Sequence, residues 1–239
     1  MKIIAHRGAS NLAPENTVAS FKKAVEIKAD GIETDVHFTK DGEIVLCHNY
    51  EIGETSNGSG KISELTFSEI RKYDFGSKFS SEFADEKIPT LKECLSCTES
   101  LEKTIIEIKT PENGFDLVDA TVETVRKHGG FQKTVFSSFS LDVLHRCKEI
   151  EKDARTAMLF DMRSPFALNI LNDPKTFCDN NGIDELHPIA FFISEEFVEK
   201  CNQNSIETYF WTVNDAGSKD DLERIGVTGI ITDVPELFI

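Results

Sequence analysis

The chain has 239 residues, a length that suits one (β/α)8 barrel or two small domains. Its composition, 39% hydrophobic and 28% charged, is that of a soluble globular protein and argues against a disordered chain. The 42 acidic and 26 basic side chains give a net charge of -16. This charge argues against a general binder of nucleic acids or membrane surfaces, because both are polyanions. An anionic substrate would need local positive charge or a metal.

The first three predicted elements are a strand, a helix and a second strand. They correspond to "KIIAH" at 2–6, "NTVASFKKAVEIK" at 16–28 and "GIETDVHFT" at 31–39. This alternation of short β-branched runs with a longer amphipathic run is typical of a βαβ unit. Asn16 or Thr17 is expected to cap the helix.

A hairpin is predicted next, because Asp41-Gly42 stands between two strand-like runs in "HFTKDGEIVLCHN". If these two residues form the turn, Lys40 faces Glu43. Counting back along the ladder then sets Asp35 opposite His48.

The segment 49–88 is rich in serine, glycine and charged residues and contains no predicted barrel strand. We expect it to be an insertion over the barrel mouth within a single catalytic domain spanning 1–239.

Six more strands are predicted after the insertion, and all but the last are followed by a helix-like stretch. With the first two strands they make eight β/α repeats, which favour a closed (β/α)8 TIM barrel over an open doubly wound sheet. The six runs are "TIIEIK" (104–109), "TVFSSF" (134–139), "TAMLF" (156–160), "DELHP" (184–188), "ETYFWTV" (207–213) and "TGIITD" (228–233).

The cysteines are too sparse for a disulfide scaffold and are expected to be reduced thiols. The N-terminal apolar run is too short for a secretory signal, and no segment approaches membrane-spanning length. We therefore expect a cytoplasmic protein. Metal or redox chemistry is not expected at the single C-x-x-C pair in a predicted helix. The six residues are Cys47, Cys94, Cys97, Cys147, Cys178 and Cys201.

Three carboxylates are candidate metal ligands. Glu33 and Asp35 lie two apart on a strand and so share a face, and Glu107 and Lys109 repeat this spacing on another. Inward carboxylates at strand ends could share one hard divalent cation such as Mg²⁺ or Ca²⁺. The alternative is that they are solvated, or paired with Lys109 and Arg7 in a structural network.

Two histidines are candidate proton-transfer groups. His6 ends the first strand, and His48 lies across the hairpin from Asp35, so both lead to the same mouth. Imidazoles suit acid and base roles because their pKa lies near neutrality. Arg7 and Lys109 would supply local positive charge for a phosphate ester.

Two further residues lie at predicted strand ends. Trp211, the only tryptophan, could be a core residue or an apolar wall for the substrate. His187 precedes Pro188 and could reach the barrel mouth.

Seven motifs follow one another along the chain: "HRGASNLAPENT", "IETDVHFTKDGEIVLCH", "IPTLKECL", "IEIK", "SSF", "WTVN" and "GIITDVP". In these motifs and their order the chain resembles the glycerophosphodiester phosphodiesterase family. The resemblance implies a TIM barrel that uses a divalent cation, with Mn²⁺ as a further option, to convert glycerophosphodiesters to sn-glycerol 3-phosphate and an alcohol. It implies Glu33, Asp35 and Glu107 as metal ligands, His6 and His48 as catalytic groups, and Arg7 and Lys109 as phosphate contacts.

The chain departs from the family pattern at Asn49, where aspartate is common, and at Glu54, where arginine is common. These departures leave the preferred headgroup open. A lysophospholipase D-like hydrolase of lipid phosphodiesters is the alternative enzyme, and it should need an apolar ramp, for which "FGSKFSSEF" is a candidate. A non-catalytic binding barrel should have lost a ligand or a histidine, and none is missing.

Overall fold

The computed structural model of the chain describes residues 1–109, 114–192 and 194–239. Nine strands within these ranges form one sheet. They are β1 (Lys2–His6), β2 (Gly31–Phe38), β3 (Ile44–Leu46), β4 (Lys103–Ile108), β5 (Thr134–Ser138), β6 (Arg155–Phe160), β7 (Glu185–Pro188), β8 (Glu207–Phe210) and β9 (Gly229–Thr232).

Eight of these strands run parallel and close into a barrel. Their order around the ring is β1, β2, β4, β5, β6, β7, β8 and β9, and β1 pairs with both β2 and β9. The remaining strand, β3, pairs antiparallel with β2 outside the ring. The predicted TIM barrel and all eight of its predicted strands are confirmed.

Helices connect the strands and bury apolar faces against the outside of the barrel. None of the described helices is long and apolar enough to cross a membrane. The helices are α1 (Val18–Glu26), α2 (Phe67–Ile70), α3 (Leu91–Cys97), α4 (Asp116–His128), α5 (Leu141–Ile150), α6 (Ala167–Asn172), α7 (Pro174–Asn181), α8 (Glu195–Gln203) and α9 (Lys219–Ile225).

Of the two candidate caps of α1, one caps the helix and the other binds inside the barrel. Thr17 is the N-cap, and its hydroxyl accepts a hydrogen bond from the backbone amide of Ser20. Asn16, the other candidate, lies in the left-handed region at φ 52° and directs its side chain into the barrel.

The hairpin register differs by one residue from the prediction. Phe38 pairs with Ile44, and the amide of Cys47 donates to the carbonyl of Asp35, so Cys47 rather than His48 lies opposite Asp35. The loop has three residues, 40–42, and ends on Gly42 at φ 81°. In a three-residue hairpin loop, a residue in the left-handed conformation, commonly glycine, connects the turn to the second strand. The prediction assumed a two-residue loop and so placed the second strand one residue out of register.

The segment 49–88 contributes no barrel strand among the described residues. It contains α2 and two short 3-10 helices, and Glu51 bridges to Lys61. Its limits as an insertion in one domain stay a prediction. Buried apolar side chains from this segment pack against Val45 and Cys47, next to His48: Ile52, Ile62, Ile70, Phe75 and Ile88.

The barrel interior is filled in layers, as is usual for this fold. At the amino ends of the strands, Lys103 bonds to Glu185 and Glu207. The carboxyl ends surround a cavity. The layer between them is apolar and contains Ile4, Ile105, Val135, Ala157, Tyr209 and Ile231.

Candidate active site

Seven of the eight predicted site residues line a cavity of about 220 Å³ at the carboxyl ends of the barrel strands, while the eighth, Asp35, is buried behind its lining. His6 ends β1, and Glu33 and Asp35 lie on β2. Glu107 lies on β4, and Lys109 directly follows that strand. His48 follows β3, so the hairpin delivers it to the same mouth. The lining includes His6, Arg7, Glu33, His48, Glu107, Lys109, His187 and Trp211.

The three carboxylates form one group. Glu33, Asp35 and Glu107 each offer an oxygen within 4.8 Å of the other two. Two features of the sheet cause this proximity: the period of two along β2 sets Glu33 and Asp35 on one face, and Asp35 is in register with Glu107 on β4. The convergence expected from the sequence therefore exists.

Two basic side chains form ion pairs with carboxylates of this group. Lys109 Nζ lies 2.7 Å from Asp35 Oδ1 and 2.7 Å from Glu107 Oε1. Arg7 Nε lies 3.7 Å from Asp35 Oδ2, while its terminal nitrogen NH1 donates to both oxygens of Glu15 at 3.1 Å. The pairing with Lys109 and Arg7 that the sequence left open is thus present at Asp35.

The carboxylates differ in their pKa values. Burial would raise the pKa of Asp35, but the charges of Lys109 and Arg7 outweigh it and hold that pKa below its usual range. Burial, reinforced by the charge of Asp35, raises the pKa of Glu33 and brings that of Glu107 to about 7.

Glu33 carries the charge that is least compensated. Its oxygen accepts a hydrogen bond from the backbone amide of Arg7 at 3.3 Å and lies 3.8 Å from His6 Nε2. Within the described ranges no lysine or arginine side chain forms an ion pair with it. A site with three converging carboxylates and one unmatched negative charge fits a hard divalent cation.

His6 is oriented by a residue from the other end of the chain. Its Nδ1 donates to Asp233 Oδ1 at 2.6 Å. Asn214 donates to the second oxygen of Asp233 at 2.7 Å and accepts from its backbone amide. The carboxylate fixes which ring nitrogen of His6 carries the proton, and Nε2 is left on the side of Glu33.

His48 is oriented by its neighbour in sequence. Its Nδ1 donates to Asn49 Oδ1 at 2.7 Å, and the amide of Asn49 donates to Glu54. The two departures from the family pattern are therefore bonded to one another and to a predicted catalytic residue. Burial is the main cause that lowers the pKa of His48.

The other histidines divide into those near the cavity and those outside it. His187 is buried and lines the cavity. His37 contacts the backbone oxygen of His48, and burial lowers its pKa to about 4. His128 ends α4 before Gly129, and His145 is exposed on α5.

Trp211 forms a wall of the cavity. Its indole nitrogen donates to the carbonyl oxygen of His187 at 2.8 Å, and its ring meets that of Phe139 edge to face with centroids 5.7 Å apart. Trp211 is partly exposed and lines the site, which agrees with the second of its two interpretations.

Sequence reasoning missed the residues that hold the site residues in position. Glu15 and Asn16 stand in "PENT", Asn214 in "WTVN" and Asp233 in "GIITDVP". Of these four, only Asn16 had a predicted role, as a helix cap; it instead donates to Asp35 at 3.0 Å and accepts from Thr34 at 2.6 Å. The position of a polar side chain within a family motif was the signal that could have found them.

An eight-stranded barrel with carboxylates and histidines at its carboxyl-terminal mouth defines the protein as a TIM barrel of the enzymatic type. The chain belongs to the glycerophosphoryl diester phosphodiesterase family, whose model matches residues 6–237. The family expected from the motifs is thereby confirmed.

Individual relatives agree along the whole chain. A glycerophosphodiester phosphodiesterase of Caldanaerobacter subterraneus subsp. tengcongensis is 36% identical over 99% of this chain and 96% of its own length. A phosphodiesterase of Oleispira antarctica, solved with the product sn-glycerol-3-phosphate, matches with a TM-score of 0.86 and 25% identity over 99% of this chain and 94% of that one. A glycerophosphodiester phosphodiesterase of Agrobacterium tumefaciens also has a TM-score of 0.86, with 26% identity over 100% and 98% of the two chains.

Proposed function

We propose that this protein hydrolyses glycerophosphodiesters, such as glycerophosphocholine and glycerophosphoethanolamine, to sn-glycerol 3-phosphate and an alcohol. The observation that carries the proposal is a cavity lined by two histidines, two cationic side chains and two carboxylates, with a third carboxylate, Asp35, grouped with those two. The product named for the Oleispira antarctica relative supports the substrate class.

The proposed cofactor is one divalent cation, Mg²⁺, Ca²⁺ or Mn²⁺, held by Glu33, Asp35 and Glu107. Oxygen ligands and the uncompensated charge at Glu33 support this assignment. When bound, the cation would supply Lewis-acid polarisation of the phosphate and a fixed orientation for it.

The remaining steps belong to the chain's own residues. Arg7 and Lys109 line the cavity and would bind the phosphate oxygens. One histidine would remove a proton from the glycerol hydroxyl next to the phosphate, and this oxygen would attack phosphorus and expel the alcohol. Water would then open the resulting cyclic phosphate to sn-glycerol 3-phosphate. In the other route, the histidine would deprotonate a water that attacks phosphorus directly. The other histidine would protonate the leaving alkoxide.

A coupled assay for sn-glycerol 3-phosphate tests the reaction and its metal requirement. Glycerophosphocholine and glycerophosphoethanolamine should both be turned over, chelation should abolish turnover, and Mg²⁺, Mn²⁺ or Ca²⁺ should restore it. Full activity after exhaustive chelation would overturn the metal assignment, and absence of product with every cation would overturn the function.

Replacing each histidine tests the paired mechanism. His6→Ala and His48→Ala should each lower kcat by about a hundredfold to ten-thousandfold, the usual contribution of positioned proton transfer. A nitrophenyl phosphodiester needs little protonation of its leaving group, so it should largely rescue the variant that lacks the acid. His145→Ala, on the exposed face of α5, is the control. If neither variant is rescued, the paired mechanism is wrong.

Lipid phosphodiesters are the second candidate substrates. Two aromatic side chains of the segment 49–88, Tyr50 and Phe79, are about half exposed, and Phe79 packs edge to face on Phe83. These side chains are candidates for contact with an acyl chain. A choline-release assay tests this, because cleavage of lysophosphatidylcholine yields choline and lysophosphatidic acid instead of sn-glycerol 3-phosphate. Choline release faster than from glycerophosphocholine would favour the lipid reaction.

A further inference from the structure

Two buried polar groups that line the cavity, His187 and Ser137, have no role in the chemistry above. His187 lies across the barrel from Glu33, whereas Ser137 is in register with Glu107 on the neighbouring strand β4. His187 is on β7, which is four strands from β2 in either direction around the ring. Its side chain is completely buried, yet it lines the same cavity as Glu33 and Glu107. Ser137, on β5, is 1% exposed and lines that cavity too.

The hydrogen bonds of His187 leave one ring nitrogen unused. Its Nε2 lies 3.1 Å from Glu185 Oε2. Glu185 also accepts from Lys103 and Arg155, each at 2.7 Å, so it is a carboxylate that can only accept. Nε2 therefore carries the proton and donates.

The second nitrogen, Nδ1, is left as a bare acceptor. It is buried and has no partner in the described part of the chain. Burial lowers the pKa of His187, which keeps the ring neutral and Nδ1 unprotonated. A buried acceptor without a hydrogen-bond donor costs free energy. A donor from a ligand or from solvent in the cavity would remove this cost.

Ser137 has the same unmet requirement. Its hydroxyl is buried and makes no hydrogen bond within the described residues, whereas that of the adjacent Ser138 donates to the backbone oxygen of Ile108 at 2.9 Å. Of the two serines, only Ser137 lines the cavity, so only its hydroxyl is placed to meet a ligand there. A hydroxyl can both donate and accept, so Ser137 complements an acceptor nitrogen around a substrate hydroxyl.

We propose that His187 Nδ1 and Ser137 Oγ form a subsite for the terminal hydroxyl of the substrate's glycerol arm. This proposal rests on the proposed function. The glycerol arm is common to all glycerophosphodiesters, so an enclosed subsite with fixed hydrogen-bonding groups suits it. The alcohol arm varies and needs an open side. Three further side chains that line the cavity, Ile105, Leu159 and Ile231, are apolar and offer a hydroxyl no hydrogen bond.

The test compares two substrates that differ by one hydroxyl. They are glycerophosphoethanolamine and the phosphoethanolamine diester of propane-1,2-diol, which keeps the hydroxyl beside the phosphate but lacks the terminal one. Release of ethanolamine is measured for both, since both yield it. The wild type should prefer the glycerol substrate in kcat/KM by about tenfold to a hundredfold, the effect of one or two buried hydrogen bonds.

Variants assign this preference to the two residues. His187→Phe keeps a ring without its nitrogens, and Ser137→Ala removes one oxygen. In each, the preference should fall towards one, mainly through loss of activity on the glycerol substrate. Ser138→Ala is the matched control and should keep the wild-type preference. Because Ser137→Ala is a minimal change, it carries the test even if His187→Phe does not fold.

Two outcomes separate the subsite from the reaction. Equal turnover of both substrates by the wild type, or an unchanged preference in Ser137→Ala and in any folded His187→Phe, would overturn the subsite and leave the phosphodiesterase intact. No ethanolamine from either substrate, with every cation tested, would overturn the proposed function instead.

Discussion

At the scale of single residues, the two candidate catalytic histidines have different partners. Asp233 gives His6 a carboxylate, whereas Asn49 gives His48 an amide. A carboxylate stabilises an imidazolium and orients the ring, while an amide oxygen chiefly orients it. Burial would raise the pKa of Asp233, but its bonds to His6 and Asn214 dominate and lower it to about 2, so it stays ionised.

Asp233→Asn tests the role of this carboxylate. The amide can still accept from His6, but it cannot stabilise a positive ring, so we expect kcat to fall by about tenfold to a hundredfold with little change in KM. Glu236→Gln changes a nearby carboxylate that bonds to Asn11 instead, and it should keep wild-type kcat. Equal kcat in the two variants would contradict the role.

Glu54 connects the segment 49–88 to His48 through Asn49. We expect Glu54→Arg to change the ranking of choline, ethanolamine, glycerol and inositol diesters, because it reverses a charge near the mouth. Glu54→Gln keeps an oxygen for Asn49 without the charge, so it separates loss of charge from loss of the hydrogen bond. Relative kcat/KM values measure the ranking, and an unchanged ranking in Glu54→Arg would count against this prediction.

At the scale of elements, the β2–β3 hairpin depends on one glycine. Gly42 lies at φ 81°, and a Cβ there would meet no atom within 4 Å. The cost of Gly42→Ala is therefore one of backbone conformation alone, about 1–2 kcal/mol in the free energy of unfolding. Urea denaturation should show this loss, a smaller one for Gly42→Asn, and little for Gly53→Ala, whose φ is not positive. Equal stabilities for the wild type and Gly42→Ala would contradict it.

The amino end of the barrel depends on a buried ion network. Lys103 is 6% exposed and bonds to Glu185 and Glu207 from strands across the interior. Lys103→Met leaves carboxylates with fewer counter-charges, so the free energy of unfolding should fall by about 3–5 kcal/mol. Lys2→Met, which breaks an exposed pair with Glu102, should change it little. Similar losses in denaturant titrations of the two variants would refute the network.

At the scale of the whole molecule, charge is distributed so that a strongly acidic chain can bind an anionic substrate. The net charge is -16, yet Arg7 and Lys109 both face the cavity. The carboxylates beside them repel one another when no cation is bound, so the proposed metal site predicts that stability depends on the cation.

This linkage predicts an unusual response to Glu33→Gln. Without added cation the variant should melt at or above the wild-type temperature, because one buried like charge is gone. Adding cation at about a hundred times its Kd should stabilise the wild type by about 2.7 kcal/mol and the variant much less. Glu223→Gln, an exposed change in α9, should behave as the wild type. A cation-free Glu33→Gln that melts far below the wild type would make these carboxylates structural.

Features that depend on local periodicity could be predicted from the amino-acid pattern. The alternation along β2 and β4 is enough to place Glu33, Asp35 and Glu107 on inward faces, and the order of strands and helices is enough for the barrel. Strand ends that lead to one mouth likewise brought His6 and His48 together.

The hydrogen-bond partners of those residues could not be predicted, because they depend on contacts between distant parts of the chain. Asp233 meets His6 across 227 positions of chain, a contact that exists because β9 closes the ring beside β1. The one-residue shift of the hairpin depends on the conformation of Gly42, and the unpaired atoms of His187 and Ser137 are visible only once every neighbour is in place. Periodicity fixes the direction of a side chain, but its partner is set by how distant strands pack, which no local pattern encodes.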